Sequence, residues 1–272
     1  MLVAKKQVLI YKEKYRLSEQ IQIWEGVFSS FSEAANSSIG PGFSGVVWKD
    51  RQTAVMQEIV TALKAKKPIP LFHKQRLTCL PPVVAMLLSS CRKVKILDFG
   101  GGLGVGYAVL LETIPFASER IEYCVVELPP VCDEAKWFSS EESIQFVHDL
   151  PTNEDFHLIY SSSALQYVED WRGIVERLAA YGAKYLLLSD VFAGDIPGFV
   201  TLQNYYGSRI PHWFINLDEL VSVVAENGYE LMMKTVSTSR RLGADDILPM
   251  DNFPSEYRLD YSLHLLLQAR TG

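Results

Sequence analysis

No stretch of this sequence reaches the ~20 consecutive apolar residues that a membrane helix requires. The opening residues, MLVAKKQVLIYKEKYR, also lack an apolar run of the length a secretory signal needs. A soluble, cytoplasmic protein is therefore expected. Basic residues are in deficit: 26 Lys and Arg stand against 32 Asp and Glu, a net charge of −6. Binding through phosphate contacts ordinarily goes with a basic excess, so nucleic acid is not an expected partner. Cysteine is scarce, and Cys79, Cys91, Cys124 and Cys132 form no CxxC pair. That argues against a disulfide frame or a zinc site, and no metal is expected. Internal repeats and low-complexity segments are absent. Apolar character is plentiful, at 48% of residues, enough for one sizeable core or a core plus a small cap.

The pattern divides near residue 90. Residues 1–90 read as a mainly helical cap or lid. Asp50 is placed to cap a helix over RQTAVMQEIVTALKAKK, with Val55, Ile59, Ala62 and Leu63 as its apolar stripe. Pro68 and Pro70 end it. TCLPPVVAMLLSS predicts a second helix with its prolines in the first turn. Residues 24–45 look loop-like. Residues 91–272 alternate short apolar runs with helical patterns. Strands are expected at Val94–Phe99, Ile121–Glu127, Ile144–Val147, Leu158–Ser161 and Lys184–Asp190. Helices are expected at Val105–Thr113, Val131–Phe138 and Trp171–Tyr181. Apolar strands separated by helices predict an α/β fold with a parallel sheet covered on both faces. Asn216 with Glu219 starts a further helix and Gly228 ends it. Tyr229–Val236 and Tyr261–Ala269 then follow as two strands without a helix between them, an antiparallel pair at one edge.

VKILDFGGGLGVGY, residues 94–107, carries the main chemical signal. It leaves a strand and opens a helix, the setting in which a parallel sheet binds nucleotide-like ligands. A tight turn would need one or two glycines; Gly100, Gly101, Gly102, Gly104 and Gly106 exceed that, and glycine in excess has an entropic cost. The dinucleotide pattern G-x-G-x-x-G fails here. Its third glycine would be Val105 in one register and Tyr107 in the other. There is no P-loop motif either. What fits is acid-x-G-x-G-x-G through Asp98, Gly100, Gly102 and Gly104. An acid at the first position repels a pyrophosphate but suits a ligand bearing an ammonium group.

In these residues the chain resembles the class I S-adenosylmethionine-dependent methyltransferases, from about Val94 to the C-terminus. The resemblance implies a Rossmann-like, mostly parallel sheet of seven strands with the last antiparallel. It implies S-adenosylmethionine as cofactor and S-adenosylhomocysteine as product. Val94–Gly104, including Gly101, matches the first motif. Cys124-Val-Val-Glu127-Leu128 matches the second strand, whose terminal acid holds the ribose hydroxyls. His148-Asp149-Leu150 matches the third motif, with Asp149 facing the adenine amino group. Ser161, Ser162 and Gln166 fall in the turn after the fourth strand, beside the methionine part of the cofactor. More narrowly, Trp24-Glu-Gly-Val-Phe28 with Phe31-Ser-Glu-Ala34 is similar to a methyltransferase family associated with surface-polysaccharide (O-antigen) gene clusters. That implies a saccharide or other small-molecule acceptor.

Methyl transfer is an in-line displacement, in which the enzyme mainly positions donor and acceptor. A hydroxyl acceptor also needs a base. His212, in SRIPHWFIN, Asp190 and Tyr167 are the candidates for the catalytic roles. Tyr206, Trp213, Trp24 and Phe28 are the candidates for acceptor binding. Plant-type O-methyltransferases carry a His-Asp-Trp base motif after the fourth strand; here it reads Glu169-Asp170-Trp171. The base lies elsewhere or the acceptor needs none. The expectation is methylation, at oxygen, of a small molecule or sugar-containing precursor. The alternatives are an NAD(P)-dependent oxidoreductase and a non-catalytic S-adenosylmethionine-binding module. Pairing of two copies into a homodimer is left open.

Overall fold

The computed structural model describes residues 22–135, 143–237 and 247–270. Among these the chain forms strands β1 (Trp24–Phe28), β2 (Val94–Phe99), β3 (Ile121–Val126), β4 (Ile144–Val147), β5 (Leu158–Ser162) and β6 (Tyr185–Val191). They are followed by β7 (Ala193–Gly194), β8 (Phe199–Tyr205), β9 (Ser208–Asn216), β10 (Tyr229–Ser237) and β11 (Ser262–Ala269). The main sheet has the order β10-β11-β6-β5-β2-β3-β4. β2, β3, β4, β5 and β6 pair in parallel, while β11 runs antiparallel to both β6 and β10. This is the seven-stranded Rossmann-like sheet that the family resemblance implied, built on the parallel strands the alternating pattern predicted. The chain steps from β2 outward to β4, then returns to β5 on the other side of β2. The crevice at the strand ends between β2 and β5 is thus the switch point at which such sheets bind ligands.

Both faces of the central strands β2, β3, β5 and β6 are buried, which is why they read as near-unbroken apolar runs, whereas the edge strand β10 is exposed along residues 230–236. Ile96, Val125, Leu158 and Leu187 pack on one face under helices Val46–Lys64, Leu80–Leu88 and Val105–Thr113. Leu97, Cys124, Ile159 and Leu188 pack on the other, under helices Trp171–Ala179 and Leu217–Glu226. Asn216 caps the latter by accepting from the Glu219 amide at 2.9 Å, as its spacing predicts.

The N-terminal part departs from expectation in two places. The long helix starts at Val46, with Gly45 as its N-cap, so Asp50 lies inside it and caps nothing. Burial of Trp48 outweighs the capping signal further along. Residues 24–28, expected in a loop, form β1 and pair with β8. A second sheet results, in the order β1-β8-β9-β7. The segment around His212 forms the hairpin β8–β9. It turns through Tyr206 and Gly207, at φ 48° and 79°, two left-handed residues as a two-residue hairpin turn requires. Helix Val131–Phe138 is found as Pro129–Ala135. Its expected last residues lie outside the described residues, as do 1–21 of the cap and the final two residues of the chain.

Candidate active site

The glycine loop follows from strand chemistry. β2 ends at Phe99, and the chain must reverse into a helix that starts at Val105. Gly100, Gly102 and Gly104 have φ of 72°, 59° and 84°, a region side chains resist. A Cβ on Gly100 would lie 2.3 Å from the Cβ of Ala164, so the loop also touches the turn after β5. A Cβ on Gly102 would meet nothing within 4 Å. The loop is open at that point and offers bare backbone to a ligand.

Asp98 lies beneath this loop, 1% exposed. Its Oδ2 accepts from the Tyr123 hydroxyl at 2.7 Å, and its Oδ1 has no partner. Burial raises its pKa to about 7; the Tyr123 hydrogen bond opposes that, and nearby Glu127 adds to it. Tyr123 was not singled out from the sequence. Its signal was available, because it precedes by two residues Val125, the parallel partner of Asp98, and so projects to the same face.

Glu127 follows β3 on the neighbouring strand. Its Oε1 accepts from the Gly102 amide at 3.0 Å and its Oε2 from the Leu128 amide at 2.8 Å. Burial raises its pKa, and the two amides work in the opposite direction. A carboxylate has about four acceptor positions. Two are occupied, and two remain for a pair of hydroxyl donors. Asp149 stands beyond the end of β4, exposed and paired with His148 at 3.1 Å. Leu128 is exposed and Leu150 half-buried.

Across the switch point, Ser161 Oγ donates to the Phe99 carbonyl at 3.0 Å, tying β5 to the loop. Ser162 is half-buried. Gln166 is fully buried, and neither atom of its amide has a hydrogen-bond partner. A buried amide without partners is costly, which makes it a ready donor and acceptor for a bound ligand. The open glycine backbone, the half-used Glu127 carboxylate and the Gln166 amide thus fit a polar, phosphate-free adenosyl ligand.

Beyond β6 the structure collects residues that no sequence spacing linked. Asp190 is 0% exposed and left-handed at φ 51°. It accepts from the hydroxyls of Ser163, Ser262 (2.5 Å) and Ser237 (3.3 Å). Ser163 is also left-handed, at φ 56°. Two such non-glycine residues, bonded to each other on adjacent strand ends, mark a locally strained, over-determined corner. Arg76 approaches it from the N-terminal part, Nε 4.0 Å from Asp190 Oδ2.

His212, Trp24 and Phe214 lie in an aromatic interior. The imidazole is 0% exposed, with ring centroids 4.7 Å from Phe192, 5.0 Å from Phe214, 5.3 Å from Tyr167 and 5.7 Å from Trp24. Strand alternation puts His212 inward and Trp213 outward. Trp213 stacks on Phe31 instead. Phe28 packs beside Val200 and Leu202. Tyr167 Oη donates to Gln203 Oε1 at 2.7 Å. Tyr206 forms the hairpin turn, with the Arg51 guanidinium 5.2 Å from its ring centre. Among the described residues no group of His, Cys, Asp and Glu is arranged to hold a metal ion, and no helix is long and apolar enough to cross a membrane.

A family model described as a methyltransferase domain matches residues 47–234. The chain belongs to the class I S-adenosylmethionine-dependent methyltransferases. No curated protein matches this methyltransferase by sequence. Its fold is similar to a chain in the complex between the Haloferax volcanii Trm112 methyltransferase activator and a methyltransferase. There the identity is 12%, with 83% of this chain and 95% of that one covered and a TM-score of 0.52. It is also similar to an S-adenosylmethionine-dependent methyltransferase from Clostridium acetobutylicum ATCC 824, at 10% identity. That match covers 82% of this chain and 99% of that one, with a TM-score of 0.50. At such identities the likeness is one of fold.

Proposed function

We propose that this methyltransferase binds S-adenosylmethionine across the β2–β5 switch point and methylates an oxygen of a small molecule or sugar-containing precursor. The observation that carries the cofactor site is Glu127, fixed by the Gly102 and Leu128 amides with acceptor positions to spare. In this reading Glu127 takes the two ribose hydroxyls, and Gly100, Gly101, Gly102 and Gly104 let the ligand touch the main chain. Asp149 and the neighbouring Leu128 and Leu150 flank the adenine. The unpartnered Oδ1 of Asp98 and the Gln166 amide serve the amino-acid end, with Ser161 and Ser162 shaping the turn beside it.

When bound, the cofactor supplies an electrophilic methyl group on a sulfonium. The protein's task is then to orient the acceptor along the line of attack and keep water out. Tyr167 and Asp190 stand at the strand ends where the acceptor would lie. Asp190 already accepts from three hydroxyls and faces a guanidinium, which makes it an anchor more than a base. His212, enclosed by aromatics, acts through the Tyr167 ring it packs against. Tyr206 and Trp213, half-buried on the hairpin, are the residues assigned to the acceptor, whereas Trp24 and Phe28 hold β1 in place.

A thermal-shift titration with S-adenosylmethionine, S-adenosylhomocysteine, NAD and NADP tests the reading. Stabilisation by the two adenosyl-sulfur ligands alone is expected. A shift with NAD, or none with the first pair, would overturn the cofactor assignment. Binding without methyl transfer to any acceptor tried would favour a non-catalytic module.

A further inference from the structure

Two arginines of the N-terminal part meet at the mouth of the proposed acceptor site. Arg76 lies just before helix Leu80–Leu88, and Arg51 lies in helix Val46–Lys64. Arg76 is exposed, its side chain 51% accessible, although Asp190 opposite it is fully buried. Its contact runs through Nε at 4.0 Å, and among the described residues its guanidinium makes no hydrogen bond. Arg51 has no carboxylate within ion-pair distance among the described residues; its guanidinium rests on the Tyr206 ring at 5.2 Å. Tyr205 joins the two. Its ring centroid is 4.4 Å from that of Tyr206, and its hydroxyl is within electrostatic reach of both Arg76 and Arg51.

The surface so formed is cationic in a chain whose net charge is −6. Among the described residues neither guanidinium donates a hydrogen bond, and the Tyr205 and Tyr206 rings lie beside them. Asp190 offsets part of the Arg76 charge, while Arg51 has no carboxylate partner among the described residues. Guanidinium groups bind phosphate and carboxylate through paired N–H donors. Two of them beside aromatic faces make a site for an anionic group attached to a ring.

We propose that Arg51 and Arg76, over Tyr205 and Tyr206, form an anion subsite that anchors a phosphate or carboxylate carried by the methyl acceptor. The inference rests on the methyltransferase reading for the word acceptor, but the subsite stands on its own geometry.

The test is binding of phenyl phosphate, benzoate and benzyl alcohol by isothermal titration at low salt, with and without saturating S-adenosylhomocysteine. One of the two anions is expected to bind at least 10-fold tighter than benzyl alcohol, and which one it is identifies the anionic group. Arg76→Gln and Arg51→Gln should each reduce that preference about 5- to 10-fold, Arg76→Lys should keep part of it, and S-adenosylhomocysteine affinity should stay within 2-fold. Arg51→Gln guards against misfolding, because that side chain is exposed. No preference for either anion, or a preference unchanged in both glutamine variants, overturns the subsite. Failure of S-adenosylhomocysteine to bind would overturn the cofactor reading instead, while the anion titration without it still decides the subsite.

Discussion

Asp98 is the residue in which position and chemistry are most tightly linked. It was expected at the ligand, and it lies under the loop that would hold the ligand, bonded to Tyr123. Its ordinary value of 3.8 rises to about 7 in the folded chain because burial disfavours the charge. The folded state therefore holds the proton more tightly than the unfolded state does. Stability from this group is present at low pH and is lost as the pH rises from about 4 to about 7, with no further change above. The full difference corresponds to about 4 kcal/mol. Asp98→Asn should flatten that part of the stability curve in urea melts at pH 5, 6, 7 and 8. An unaltered slope would show that Asp98 does not titrate there. Glu127 belongs to the same scale. Glu127→Ala removes the acceptor of both the Gly102 and Leu128 amides, and should weaken S-adenosylhomocysteine binding by ~1.5–3 kcal/mol, measured by calorimetry. Equal affinity would remove Glu127 from the site.

At the level of elements, the glycines act through what surrounds them. Gly106 lies in helix Val105–Thr113, where alanine would ordinarily be favoured by roughly 0.8–1 kcal/mol. Here a Cβ would stand 2.3 Å from the Tyr123 hydroxyl and 3.3 Å from Asp98 Oδ2. Gly106→Ala should therefore destabilise by about 1–3 kcal/mol. Pairing it with Tyr123→Phe, which removes the blocking oxygen, should recover part of that loss. Additive losses in the double variant would place the strain elsewhere. β1 shows the opposite relation. Its pairing with β8 is sealed by Trp24, 0% exposed against Phe192 and Phe214. Trp24→Ala should cost about 3–5 kcal/mol. It should also speed hydrogen exchange at the Asn204 amide, which donates to the Ile23 carbonyl. Slow exchange there would mean that β1 holds without its tryptophan.

For the whole molecule, the proposed cofactor site draws on the ends of several strands of the main sheet, so ligand binding should register in global stability. S-adenosylhomocysteine at 100 times its dissociation constant should add about 2.7 kcal/mol. For a chain of this size that is roughly 2–4 °C in melting temperature per kcal/mol. A melt unaffected at millimolar ligand would contradict the cofactor site.

The main sheet was legible in the sequence because its central strands are apolar on both faces and bounded by turn or helix signals, and its exposed edge strand β10 is followed by a further strand with no helix between. The glycine loop, Glu127 and Asp149 were legible because a strand end fixes its next residues locally, within a few positions of the pattern that reveals the strand. The second sheet was not legible. β1 and β8 are separated by most of the chain, and a strand such as WEGVF has no visible partner until the fold supplies Phe199–Tyr205. His212, in the middle of β9, shows the same limit, since a histidine on a strand looks alike whether it faces a ligand or an aromatic core. Its neighbour across the sheet decides which. The convergence of Arg51, Arg76, Asp190 and Tyr205 likewise spans four elements with no common spacing. Local periodicity, acting over a few residues, determined the strands, the helices and the cofactor loop. Burial and charge compensation, acting across the packed molecule, decided which side chains turn into an aromatic interior and which charged groups converge.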